Sequence, residues 1–163
     1  MSDDILLNIL NRDAKYVNSR VNLDILEGAD VTITGATGLV GLNIICALNY
    51  YNNNNAKQRI NINALSYSKP IGVIKKVFEE NCVNSISGDL SDCSFIKKLP
   101  LSDCIIHSAG YGQPGKFLDD KLKTISINTS ATISLSKKLK KEGRFLFLSS
   151  SEVYSGCTSK ENI

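Results

Sequence analysis

The chain has 163 residues, 42% of them hydrophobic and 21% charged, with 19 basic against 16 acidic side chains for a net charge of +3. That length builds one domain with a real core, and the mild charge provides no strong basic face for nucleic acid. His107 is the only histidine, which excludes a His-rich metal site or a Ser-His-Asp triad within the chain.

Five scattered cysteines (Cys46, Cys82, Cys93, Cys104 and Cys157) form no CxxC pair. They read as small, mostly buried residues of a reducing cytosol. With no signal-peptide pattern and no apolar run of membrane length, a cytoplasmic protein without membrane contact is expected.

In chain order, Ile5, Leu6, Ile9 and Leu10 recur at helical spacing, with Ser2 and Asp3 as candidate caps. Residues 31–34 are apolar and β-branched and read as a buried strand. Three glycines follow at intervals of three, Gly35, Gly38 and Gly41, and then a helical apolar pattern over 39–51. Strand, glycine turn and helix together present free backbone N–H groups to a phosphate. Residues 1–28 are therefore expected to be a helical extension, and 29–163 a dinucleotide-binding domain.

Asn52 to Asn55 favour turns and are expected to end that helix as a surface loop. Residues 60–65 read as a second strand and 71–81 as a helix striped by Ile71, Ile74, Val77 and Phe78. A third strand over 83–87 meets Gly88-Asp89-Leu90, and Ser91 and Asp92 can cap a short helix over 94–99. Residues 104–107 form a fourth strand, closed by Ser108-Ala109-Gly110. A loop over 111–117 leads to a long helix within 118–140, stopped at Gly143, with Lys137, Lys138, Lys140 and Lys141 near its end. Residues 144–148 form a fifth strand.

Strands alternating with helices imply right-handed βαβ units and an α/β doubly wound Rossmann-type parallel sheet of order 3-2-1-4-5. Ligands of such sheets lie beyond the carboxyl ends of the strands. The glycine turn, Gly88-Asp89-Leu90, His107-Ser108-Ala109-Gly110 and Ser149-Ser150-Ser151-Glu152 all fall there.

These residues resemble the extended short-chain dehydrogenases/reductases. Thr34-Gly-Ala-Thr-Gly-Leu-Val-Gly41 is similar to that family's TGxxGxxG loop, Gly88-Asp89-Leu90 to its adenine-contacting turn, and His107-Ser-Ala to its HxA element. Asn128 matches its helix asparagine, and Ser149-Ser-Ser-Glu-Val-Tyr154 resembles the signature of nucleotide-sugar epimerases, dehydratases and decarboxylases. The resemblance implies NAD or NADP bound by Gly35, Thr37, Gly38, Leu39, Val40, Gly41, Ser66, Asp89, Leu90, Ser108, Ala109, Gly110, Asn128 and Ser149. It implies transient hydride transfer on a nucleotide sugar, with Ser150 bonding the sugar hydroxyl or ketone and Glu152 as an acid/base. Ser151, where dehydratases often carry an acid, leans the reading toward an epimerase or decarboxylase. The apolar excess of the 118–139 helix suits a homodimer.

Two departures stand out. No tyrosine is followed four positions later by lysine, so the family's YxxxK base is missing and the chain reads as truncated after strand five and inactive by itself. A non-catalytic dinucleotide-binding regulator and an NADPH-dependent reductase of the same superfamily are the alternatives. Strand two ends in Leu65-Ser-Tyr-Ser-Lys69, without the carboxylate that grips the ribose of NAD, and Ser66, Ser68 and Lys69 suit a 2′-phosphate.

Overall fold

A computed structural model describes residues 3–111, 114–150 and 154. Strands β1 (Asp30–Thr34), β2 (Asn61–Ser66), β3 (Asn84–Ser87), β4 (Ser102–His107) and β5 (Leu139–Phe147) form one sheet. Its order is β3-β2-β1-β4-β5 and every pairing is parallel. This is the doubly wound arrangement expected from the alternation of strands and helices. The order reverses between β1 and β4, which puts the crevice there.

The central strand β1 is buried on both faces, so its polar residues need partners inside the sheet. Thr32 Oγ1 lies 2.6 Å from Ser102 Oγ, and Thr34 Oγ1 lies 2.6 Å from His107 Nδ1. Alternate residues feed opposite faces. Ile62 and Ala64 join a core cluster with α1 (Asp3–Asn18), α2 (Leu39–Asn54) and α3 (Gly72–Glu80), through Leu10, Ile45 and Phe78. Leu65 faces the other way. It packs with Ile96 of α4 (Cys93–Lys97) and with Ala131 and Leu135 at the far end of the chain.

Helix α1 docks on α2 by burying Leu10 and Ala14, and Asn18 Nδ2 donates to both Ala14 O and Ala47 O at 2.9 Å. The candidate cap Ser2 lies outside the described residues. The expected cap of α4 is present, with Asp92 accepting from the Ser94 N–H at 2.7 Å.

Three expectations need correction. The Asn52–55 tract ends α2, at Asn54 with Asn55 as the C-cap, but it is not a surface loop: the helix runs three residues past Tyr51 and Asn52 is buried. Its Nδ2 donates to Ile60 O at 2.9 Å and its Oδ1 accepts from Ile60 N–H at 2.8 Å, pinning the entry to β2.

The long helix over 118–140 is instead three short ones: α5 (Pro114–Asp119), which takes up part of the expected 111–117 loop, α6 (Lys121–Asn128) and α7 (Ser130–Ser136). Asp120 caps α6 by accepting from the Lys123 N–H at 3.0 Å, and Thr129, at φ −118° and ψ −73°, separates α6 from α7.

Finally, β5 starts at Leu139, not Arg144. Ser102 pairs with Leu139 and Cys104 with Arg144, so β5 carries a bulge that includes Glu142 at φ 67°. Gly143 lies in that bulge and does not stop a helix. A Cβ there would sit 3.1 Å from Asp103 O. Of the nearby lysines, Lys140 serves the bulge, while Lys137 is the C-cap of α7 and Lys138 follows it. Lys140 Nζ bonds Asp30 at 2.6 Å and Asp103 at 2.8 Å, while Lys138 Nζ bonds Leu99 O at 2.8 Å.

Candidate functional site

The carboxyl ends of the strands are tied to one another by short polar contacts. Ala36 N–H donates to Leu65 O at 3.0 Å, Gly88 N–H to Ser66 O at 2.9 Å and Leu148 N–H to His107 O at 3.1 Å. The Ser108 hydroxyl donates to Thr34 O, and Ala109 N–H to Thr34 Oγ1 at 3.1 Å. These contacts draw the turn after β1 against the turn after β4. Gly35 is needed at that point. Its φ is +66°, and a Cβ there would sit 2.8 Å from Ser108 O and 2.9 Å from Ala109 N. Gly41, one helical turn on, packs directly on the Gly35 carbonyl.

His107 holds this junction from beneath. It is buried, with Nδ1 on Thr34 Oγ1 and Nε2 3.1 Å from Ile127 O on α6. Because Ile127 O can only accept, Nε2 carries the proton and Nδ1 accepts from the threonine hydroxyl. Burial pulls its pKa below the ordinary value, partly offset by the bond to Ile127, so the ring is neutral at pH 7.

Above the tied strand ends lies a cleft of about 530 Å³. Of the predicted cofactor residues, Gly35, Thr37, Gly38, Ser66, Asp89, Leu90, Ser108, Ala109 and Gly110 line it. Gly38 is the N-cap of α2 and offers no side-chain cap. The first N–H groups of this 16-residue helix have no partner within the helix and lie beside the cleft-lining glycines.

Gly41 stands behind the cleft. The side chains of Leu39 and Val40 turn to a separate apolar groove with Val17 and Leu26. Asn128 is exposed near Gly110, its Oδ1 4.0 Å from where a Gly110 Cβ would stand, while its Nδ2 donates to Thr124 O at 2.8 Å. Ser149 and Ser150 are exposed beyond the end of β5. Glu152 and Ser151 lie outside the described residues, as does Cys157.

The cleft also contains residues that motif reading missed: Tyr67, Tyr111, Lys123 and Ile127. Lys123 and Ile127 are four apart on α6 and so share a face, the one helical signal that pointed to them. Lys123 Nζ lies 2.7 Å from Asp89 Oδ2 and 4.4 Å from the centroid of the Tyr67 ring. Asp89 Oδ1 accepts from Ser91 N–H at 2.9 Å and from the Ser91 hydroxyl at 2.7 Å. Burial alone would raise the Asp89 pKa. The ammonium and the two Ser91 donors outweigh that and hold it below the ordinary carboxylate value. The Lys123 pKa is raised, chiefly by its bond to Asp89.

Among the described residues there is no group of three His, Cys, Asp or Glu side chains able to hold a metal. No helix among them is long and apolar enough to cross a membrane.

No curated protein sequence matches the chain significantly. Among solved structures, its fold is similar to the UDP-Glc/GlcNAc 4-epimerase from Campylobacter jejuni, at TM-score 0.63 and 21% identity, over 81% of this chain and 40% of that one. It is also similar to UDP-glucose 4-epimerase from Bifidobacterium longum, solved with NAD+ and UDP, at TM-score 0.59 and 21% identity, over 77% of this chain and 38% of that one. A third is BdcA in complex with NADPH, at TM-score 0.58 and 20% identity, over 80% of this chain and 55% of that one. The chain thus spans about two fifths of the length of those epimerases. The model of the family described as NAD dependent epimerase/dehydratase matches residues 31–163, and the chain belongs to that family.

Proposed function

We propose that the chain is the NAD(P)-binding portion of an enzyme that acts on a nucleotide-linked sugar by transient hydride transfer. The observation that carries this reading is one cleft, at the reversal point of the sheet, lined by the Gly35–Gly38 turn, Asp89 and Ser108-Ala109-Gly110 together. The residues fit an adenine dinucleotide. The first N–H groups of α2, left without helical partners beside the Gly35–Gly38 turn, suit a pyrophosphate. The Gly88-Asp89-Leu90 turn and Ile127 form a half-apolar slot for a base.

When bound, the nicotinamide accepts a hydride from a sugar carbon and can return it. The work of the chain is to hold and orient. The α2 amides fix the pyrophosphate, and the neutral His107 keeps the turns after β1 and β4 in register. In this proposal Ser150 bonds the reacting sugar oxygen and Glu152 exchanges a proton beside the ketone. With Ser151 between them, an epimerase or decarboxylase is favoured over a dehydratase. The exposed Leu122, Ile125 and Ile133 support a homodimer contact through α6 and α7, and the cysteine pattern supports a cytoplasmic location.

Tyr154 is followed four positions on by Thr158, and no YxxxK occurs in the 163 residues. The chain by itself is therefore proposed to bind the dinucleotide without turnover, a feature that a non-catalytic dinucleotide-binding regulator would share. Calorimetric titration with NAD+ and NADP+ tests the reading: binding of at least one is expected, and binding of neither overturns it. Turnover of a UDP- or dTDP-sugar by this chain would overturn the inactivity.

A further inference from the structure

The proposed site leaves open which dinucleotide it prefers, and its charged groups bear on that choice. Strand β2 ends at Ser66, where a ribose-gripping carboxylate would stand. Ser66 is buried and its hydroxyl donates to Ser68 O at 2.7 Å, folding the turn back on itself. Among the described residues the one carboxylate lining the cleft is Asp89, and it is occupied. It accepts from Ser91 N–H, the Ser91 hydroxyl and Lys123 Nζ, which leaves little capacity for a ribose diol.

The ammonium is in the opposite condition. Lys123 has three donors, and Asp89 takes one. Tyr67 meets the cation with its ring face and consumes no N–H. Lys123, Tyr67 and Asp89 all line the same cleft, so the remaining N–H groups are held at its rim. The rim therefore presents donors and positive charge where a diol-binding site would present an acceptor. A phosphate monoester on the ribose meets that set with charge-assisted bonds.

We propose that Lys123, positioned by Asp89 and Tyr67, selects a 2′-phosphorylated dinucleotide, NADP(H), over NAD(H). This rests on the dinucleotide reading of the cleft, and the experiment separates the two.

The 163-residue chain is titrated calorimetrically with NADP+, NAD+ and 2′,5′-ADP at low and moderate salt. NADP+ is expected to bind at least about 10-fold more tightly than NAD+, and to lose affinity more steeply with salt. 2′,5′-ADP is expected to compete with it. Lys123→Met should bring NADP+ to within about 3-fold of NAD+ and remove the extra salt dependence of NADP+ binding. Ser66→Asp should reverse the order by restoring an acceptor and repelling the phosphate. Equal or tighter binding of NAD+ by the unaltered chain overturns the proposal. So does an equal loss of both dinucleotides in Lys123→Met, which would make Lys123 a structural residue. Failure of the unaltered chain to bind either one overturns the dinucleotide reading instead. The preference of the unaltered chain and its salt dependence need no variant, so a Lys123→Met chain that fails to fold leaves the test intact.

Discussion

The contact between the turns after β1 and β4 can be weighed by three glycine-to-alanine substitutions. At Gly35 two costs add. Its φ of +66° charges an L-residue about 1–2 kcal/mol, and a Cβ 2.8–2.9 Å from Ser108 O, Ala109 N and Ala109 Cα meets backbone that cannot swing away. Overpacking of that kind costs about 1–3 kcal/mol, so Gly35→Ala should lose about 2–5 kcal/mol. Gly72 isolates the first cost, since its φ is +56° but nothing lies within 4 Å of an added Cβ. Gly72→Ala should lose about 1–2 kcal/mol. Gly110 carries neither cost, its nearest neighbour among the described residues being Asn128 Oδ1 at 4.0 Å. Gly110→Ala should fall within about 0.5 kcal/mol of the unaltered chain. Urea unfolding with a common m-value gives all three. The difference between Gly35→Ala and Gly72→Ala measures the close approach of the two turns. If it is zero, the turns do not touch and the cleft above them is not built as described. Dinucleotide titration should show Gly35→Ala weakened and Gly72→Ala unchanged.

His107 is buried and neutral, and as the only histidine it can be followed by pH alone. Its folded pKa lies below the ordinary 6.5. Its contribution to stability is therefore complete above about pH 6.5 and is lost as pH falls through that value toward the folded one, with a slope no steeper than about 1.4 kcal/mol per pH unit. Urea midpoints from pH 7.5 to 5 should show this decline, and a His107→Gln chain should lack it. Asn52→Leu strands the N–H and C=O of Ile60 away from water and should cost about 2–4 kcal/mol in the same assay. Cys46 is buried and its thiol is pushed up to about 11, whereas Cys82 and Cys93 are exposed. A maleimide at pH 7.5 should label Cys82 and Cys93 in the native chain and Cys46 only on unfolding, as read by peptide mass spectrometry.

What could be read from the sequence was whatever local chemistry determines. The β-branched run before Gly35 and the threefold glycine spacing specify strand, turn and helix within a dozen residues, and the sheet order follows from crossover handedness. The errors lay where a distant partner decides. Asn52 has the local preference of a turn residue, but the unpaired backbone of Ile60 recruits it into a helix interior. Gly143 looks like a helix stop, yet the room it provides is for Asp103 O across a bulge. Leu118 to Lys140 has enough apolar residues for one long helix. The Asp120 cap and the backbone at Thr129 divide it instead, leaving Leu122, Ile125 and Ile133 exposed.

The same division runs through the site. Gly35, Gly38, Ser108 and Gly110 act through backbone shape, so a motif can announce them. Lys123 acts through a charge placed 34 residues from its partner, and no short pattern contains both. Its position depends on two features of the fold: the Asp120 cap that starts α6 about two turns before Ile127, and the His107 bond that fixes Ile127 O. A one-residue shift of α6 would turn Lys123 by about 100° around the helix and take its ammonium out of the cleft. His107 therefore does two jobs through one ring. It ties the turns after β1 and β4 through Thr34, and through Ile127 it holds the helix that places Lys123 in the cleft.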